Sequence, residues 1–172
     1  LVGQSMGATL ALAAALQYRF VVGVACINAT AAPLDPDADE HLNYLIGRGK
    51  TMQPVGESDL RDPTAIDVAY DELPLVALLE MIRGSHAVFE RLGELEIPTL
   101  LVSSAHDGVV DPQTTNAIAR QVNGIVTRVV LHNSAHVAAL DLDREYLCDE
   151  LLTWLANLTD PSAVLPDESA SS

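Results

Sequence analysis

Basic residues are scarce: nine Lys and Arg stand against 24 Asp and Glu, for a formal charge of −15. Nucleic acid and anionic membrane surfaces are bound through basic patches, so this balance argues against both as partners. Cysteine is nearly absent. Cys26 lies in an apolar, strand-like run and Cys148 in a helical pattern. Both read as reduced core cysteines rather than a disulfide, with a cytoplasmic setting as the expectation. No apolar run reaches the roughly 18 residues of a membrane span; Gln17 and Arg19 interrupt the longest candidate, near Ala8–Ile27. Metal-ligand clusters, phosphate-cradling glycine loops and dinucleotide fingerprints are missing, so the chemistry is expected to need no cofactor. The sequons at Asn28 and Asn157 recur readily by chance and carry little weight.

What is present is a chain of 172 residues, 49% hydrophobic and 19% charged, enough for one domain with a packed core. Ala8–Tyr18 is made of apolar helix formers, and VVGVACI at 21–27 reads as a buried strand. Residues 31–56 change character and read as a surface insertion, with prolines, an acidic cluster (Asp35, Asp37, Asp39, Glu40) expected in a solvated loop, and a short helix expected at His41–Gly47 with Leu42, Leu45 and Ile46 on one face. Leu73–Leu92 is a stronger helical candidate, with a break expected at Gly84. PTLLVS at 98–103 and IVTRVVL at 125–131 read as further strands. Between them Asp111-Pro112 starts a helix that Gly124 ends. Asp143–Leu158 is amphipathic, with Leu147, Leu151, Trp154, Leu155 and Leu158 on one face. Residues 161–172, rich in Ser, Pro and acid, are expected to be a disordered tail. Strands separated by helices imply a parallel sheet with right-handed crossovers, hence an α/β fold. Sites in such sheets form at the carboxyl ends of the strands.

Three strand ends carry reactive side chains. The first is GQSMG at 3–7. G-x-S-x-G alone is a modest signal, equally a serine in a glycine-rich turn. Here apolar residues precede it and a small-residue helix follows, the context of a strained strand-to-helix turn that exposes its serine. Ser5 is therefore the candidate nucleophile, near the positive end of a helix dipole, and the Met6 amide is a candidate oxyanion donor. The second strand end is SSAHDGVVD at 103–111. Asp107 is the candidate carboxylate to orient an imidazole; Asp111 is better explained as a helix cap, and His106 as a loop histidine. The third is LHNSAH at 131–136. His136, in a loop ahead of the last helix, is the candidate general base and then acid, with His132 as its rival. The order Ser, Asp, His along the chain is that of α/β-hydrolases.

The stretches GQSMGA at 3–8, IPTLLVSSAHDGVVDP at 97–112 and NSAHVAALDLDRE at 133–145 resemble the microbial carboxylesterase and monoacylglycerol lipase group of that superfamily. Ala8 and Ala135 replace glycines that are common there. The resemblance implies the C-terminal part of an α/β-hydrolase fold, a parallel sheet flanked by helices with a helical cap insertion. Residues 1–31 would carry the elbow, helix and next strand, 32–92 the cap, and 93–160 the acid and base loops. It implies Ser5 as nucleophile, Asp107 as acid and His136 as base. The implied activity is cleavage of short- or medium-chain acyl esters, possible substrates including monoacylglycerols, through an acyl-enzyme on a small-molecule ester. Leu42, Leu45, Ile46, Leu75, Leu78, Leu79 and Met81 are candidates to line an acyl pocket, or to pack on the main sheet. Acyl transfer or perhydrolysis by the same residues, and a non-catalytic binding module, are the alternatives. Only Leu1 and Val2 precede the turn, whereas the second oxyanion donor of this fold comes from an early loop. A fragment, weak or inactive by itself and with an open sheet edge, is the expectation.

Overall fold

The computed structural model describes residues 1–159; the tail expected at 161–172 lies outside them. Four parallel strands form the central sheet in the order β1 (Val2–Gln4), β2 (Val24–Ile27), β5 (Thr99–Ser104), β6 (Val126–Leu131). Sequence order and spatial order coincide, so each crossover returns the chain to the neighbouring position. Gln4 pairs with Ile27, Ile27 with Val102 and Ser104 with Leu131. These pairings align the carboxyl ends of all four strands at one edge of the sheet.

Both faces of the central strands β2 and β5 are covered, as uninterrupted apolar strands require. Strand alternation sends Val24, Cys26 and Leu101 to one face, where they pack with Ala8 and Leu12 of α1 (Met6–Gln17) and with Ile118 of α4 (Gln113–Gln121). Ala25, Ile27, Leu100 and Val102 point to the other, against Leu147 and Trp154 of α5 (Arg144–Thr159). Leu151 and Leu158 complete that stripe, while Leu155 turns to the exposed side. Cys148, one position off the stripe, is exposed rather than in the core; Cys26 is buried, which pushes its thiol pKa up to about 12. Gly23 lets α5 approach closely, since a Cβ there would sit 2.6 Å from Leu158 Cδ2. No helix among the described residues is long and apolar enough to cross a membrane.

Residues 32–92 hold α2 (Pro36–Gly47), a short antiparallel pair β3 (Met52–Pro54) and β4 (Glu72–Pro74), and α3 (Leu75–Phe89). The acidic cluster is a helix start rather than a loop. Asp35 caps α2 by accepting from the Asp37 and Ala38 amides, Pro36 occupies the first turn, and Asp37 and Asp39 complement the helix dipole. The helix therefore runs 12 residues and starts five earlier than the expected His41–Gly47. The β3–β4 pair had no counterpart in the sequence reading, because each strand ends on proline and alternation over three residues is uninformative. α3 runs through Gly84 without a break; that glycine is exposed with no neighbour to accommodate. Leu42, Leu75 and Leu79 are buried against one another between α2 and α3, with Leu45, Ile46, Leu78 and Ile82 around them. Six of the seven residues considered for an acyl pocket are thus this segment's own small core, since two short amphipathic helices bury their apolar faces on each other first. Hydroxyls of Thr9, Thr30 and Ser85 link α1 to α3 at 2.9 and 3.1 Å.

Candidate active site

Ser5 stands between β1 and α1 with φ 55° and ψ −125°, a conformation that costs an L-residue about 1–3 kcal/mol. Its amide donates to the Ile27 carbonyl at 2.8 Å, so the turn is pinned to the end of β2. Gly3 makes the turn possible: a Cβ there would lie 2.2 Å from the Gly7 carbonyl oxygen. Gly7 is under no such constraint, with nothing within 4 Å of its hypothetical Cβ. The steric case for glycine therefore holds on one side of the serine only. Met6 opens α1, so its N–H is among the first-turn donors that have no intrahelical acceptor.

The structure brings Ser5, His136 and Asp107 into one hydrogen-bonded line. His136 Nε2 lies 2.8 Å from Ser5 Oγ, and its Nδ1 lies 2.9 and 3.0 Å from the two Asp107 oxygens. The imidazole and carboxylate are nearly enclosed, their side chains 10% and 2% exposed. Asp107 Oδ1 also accepts the amides of Val109 and Val110 at 2.9 and 2.8 Å, which fixes the carboxylate on its loop. His132 and His106 are exposed. Asp111 is exposed as well and accepts from the Gln113 amide, the capping role expected of it, with the helix starting one residue later than Pro112.

Several residues that the sequence reading passed over hold this line in place. Asn28, met there only as a sequon, ends β2 in the left-handed region (φ 48°) and is buried. Its amide donates to Ser104 Oγ and the His136 carbonyl, both at 2.9 Å, and its oxygen accepts the Ser104 amide. Asp141 is fully buried and accepts the amides of Ala135, Arg61, Asp62 and Leu142. Burial pushes its pKa up, but these four donors outweigh it and hold the carboxyl below the ordinary carboxylate range. Asp143 is likewise raised by burial and lowered further by Asn133 and Ser134, with a net depression. Asp59 Oδ2 accepts the amides of Gly108 at 2.8 Å and His136 at 2.9 Å. The five-residue offset between His136 and Asp141 lay in the quoted NSAHVAALDLDRE stretch; Asp59, in an irregular segment outside the main sheet, had no local signal.

Chemically, an imidazole bonded to a serine hydroxyl on one side and a carboxylate on the other is able to accept the hydroxyl proton while remaining electrostatically compensated. A serine on a strand-to-helix turn, facing a histidine and an aspartate from later strand ends of a parallel sheet, defines the α/β-hydrolase class. Within it, this chain belongs to the family described as serine aminopeptidase, S33, whose model matches residues 1–143. It is 30% identical over 158 residues to a thermostable monoacylglycerol lipase of Bacillus sp. (strain H-257), across 90% of this chain and 61% of that protein. Among solved structures, one from a pair of metagenome-derived lipolytic enzymes, LipS and LipT, superposes with a TM-score of 0.82 at 27% identity. That match covers 90% of this chain and 63% of the other. The monoacylglycerol lipase of Paleococcus ferrophilus shares the fold at TM-score 0.77 and 15% identity, over 92% and 68% of the two chains. The chain thus spans about three-fifths of the length of the first two relatives.

Proposed function

We propose that this chain carries the reacting residues of a carboxylic ester hydrolase that cleaves esters of short- or medium-chain acyl groups, monoacylglycerols among them. Ser5 Oγ attacks the acyl carbon as His136 Nε2 takes its proton, and Asp107 holds Nδ1–H so that Nε2 is the free base. The tetrahedral oxyanion forms beside the Met6 N–H at the start of α1. His136 then passes the proton to the departing alcohol, leaving an acyl-serine that water resolves by the same route reversed. The observation that carries the reading is the unbroken line Ser5–His136–Asp107, with both imidazole nitrogens engaged. The names of the relatives favour lipid esters over peptides. Exposed apolar side chains close to the site in sequence, Met6, Val109 and Leu140, suit an acyl chain. The free state of Cys26 and Cys148 supports a reducing, cytoplasmic setting.

A fluorophosphonate probe tests the reading directly. The expected result is one adduct, mapped by mass spectrometry to Ser5 and lost in S5A and in H136A. Absence of any adduct, or an adduct on another serine, would overturn it.

A further inference from the structure

Within residues 32–92, Asp59 bonds both loops that carry the reacting histidine and aspartate. A single carboxylate oxygen, Asp59 Oδ2, accepts an amide from each of two loops: Gly108, next to Asp107, and His136 itself. The Asp59 carbonyl takes a third, from Val137 at 3.2 Å. Gly108 stands so close that a Cβ there would meet Asp59 Oδ1 at 3.3 Å.

The next residues are bound to the same loop in the opposite sense. Asp141 accepts the Arg61 and Asp62 amides together with that of Ala135. The Arg61 guanidinium donates to the Asn133 carbonyl at 3.3 Å, and Arg144 donates to Asp62 Oδ2 at 2.9 Å. A four-residue strap, Asp59–Asp62, is thereby laced to the histidine loop through both its backbone and its side chains.

We propose that Asp59 is a positioning residue of the active site, a clasp whose one oxygen sets the spacing between the Asp107 loop and the His136 loop. The two loops leave adjacent strands, β5 and β6, and are joined directly by one long backbone bond, His106 N–H to the Ser134 carbonyl at 3.3 Å. Among the described residues, bridges through a third residue run through Asp59 and the more distant Asn28–Ser104 pair. Asn28 fixes the His136 carbonyl; Asp59 fixes the His136 amide and the acid loop at once. With Asp59 gone, His136 keeps its carbonyl on Asn28 and the Ala135 amide on Asp141 but loses the hold on its own amide, and Nδ1···Asp107 and Nε2···Ser5 lengthen together. This inference rests on the ester-hydrolase reading for its kinetic consequence, though not for its structural one.

The test compares wild type with D59A and D59N by thermal midpoint, by the low-field proton resonance of the His136 Nδ1–H, and by kcat and KM on p-nitrophenyl butyrate. Misplacement on the ångström scale is expected to lower kcat about 10²-fold in D59A, with KM near the wild-type value and the resonance broadened or lost. In D59N the amide oxygen is able to accept the same two N–H groups, so most of the loss is regained. A folded D59A that keeps both resonance and kcat overturns the proposal, as does a folded D59N no better than D59A. If D59A does not fold, D59E decides: it keeps the charge but moves the oxygens by one methylene, and an unchanged resonance and kcat would refute the clasp. Wild-type protein that shows the resonance but forms no fluorophosphonate adduct at Ser5 would sink the hydrolase reading alone, since the response of the resonance to D59A still judges Asp59.

Discussion

Asp141→Asn offers the sharpest check on the electrostatics around the site. One carboxylate oxygen accepts from Asp62 and Leu142 at 2.8 Å, the other from Ala135 at 2.7 Å, and the Arg61 amide is shared between them at 3.1 Å. An asparagine oxygen serves one side only. In its better orientation it keeps Asp62, Leu142 and Arg61, and its NH2 group is turned onto the Ala135 amide. One buried donor is then left without an acceptor, at a cost of about 1–3 kcal/mol. For a chain of this size each kcal/mol moves the midpoint by about 2–4 °C, so the expected fall is about 2–12 °C. Calorimetry or circular dichroism at neutral pH reads this value. A second consequence has a definite sign. The folded pKa of Asp141 lies below the ordinary value of about 3.9. Its contribution is complete above that value and is lost as pH falls through the folded pKa. D141N removes that contribution, so its midpoint should fall less steeply than wild type below about pH 4. A neutral-pH midpoint within about 1 °C of wild type, with an unchanged acid slope, would refute the reasoning.

Three further outcomes follow from the same geometry. Gly3→Ala drives a methyl into the Gly7 carbonyl and should unfold the turn, whereas Gly7→Ala meets open space and should leave the thermal midpoint equal or higher; equal tolerance of both would contradict the one-sided constraint. Asn28→Ala gives up the acceptor of the buried Ser104 amide and a residue type suited to left-handed backbone, for a loss of about 2–5 kcal/mol in denaturant titration. Asp107→Asn keeps an oxygen for the Val109 and Val110 amides but presents NH2 to His136 Nδ1, favouring the wrong tautomer. Ester turnover should fall about 10⁴-fold with a near-normal midpoint; a loss below tenfold would mean that the carboxylate does not orient the base.

The parallel sheet was legible because buried strands and glycine-punctuated turns leave strong local marks, and the three strand ends pointed to the residues the fold unites. What escaped was whatever depends on contacts distant in sequence. Asp59 looks like any surface acid; only its approach to Gly108 and His136, 49 and 77 residues away, distinguishes it. Asn28 has the same difficulty, its partners lying 76 and 108 residues on. The acidic cluster at 35–40 erred differently. Asp followed by Pro is a helix-start signature, yet the density of charge drew the reading toward a solvated loop. Apolar residues at helical spacing in α2 and α3 were identified as apolar stripes, but spacing says nothing about which partner a stripe will choose.

Ser5 and His136 are separated by 131 residues and follow β1 and β6, between which β2 and β5 lie. Closing so long a loop costs entropy before its contacts form, and contacts of such separation are slow to assemble. Partly assembled chains, with β2 and β5 paired but β1 or β6 still loose, would contain Ser5, Asp107 and His136 without their alignment. Fluorophosphonate titration of Ser5 would therefore count molecules in which these four strands have paired, a measure of conformational homogeneity that absorbance or secondary-structure content does not supply.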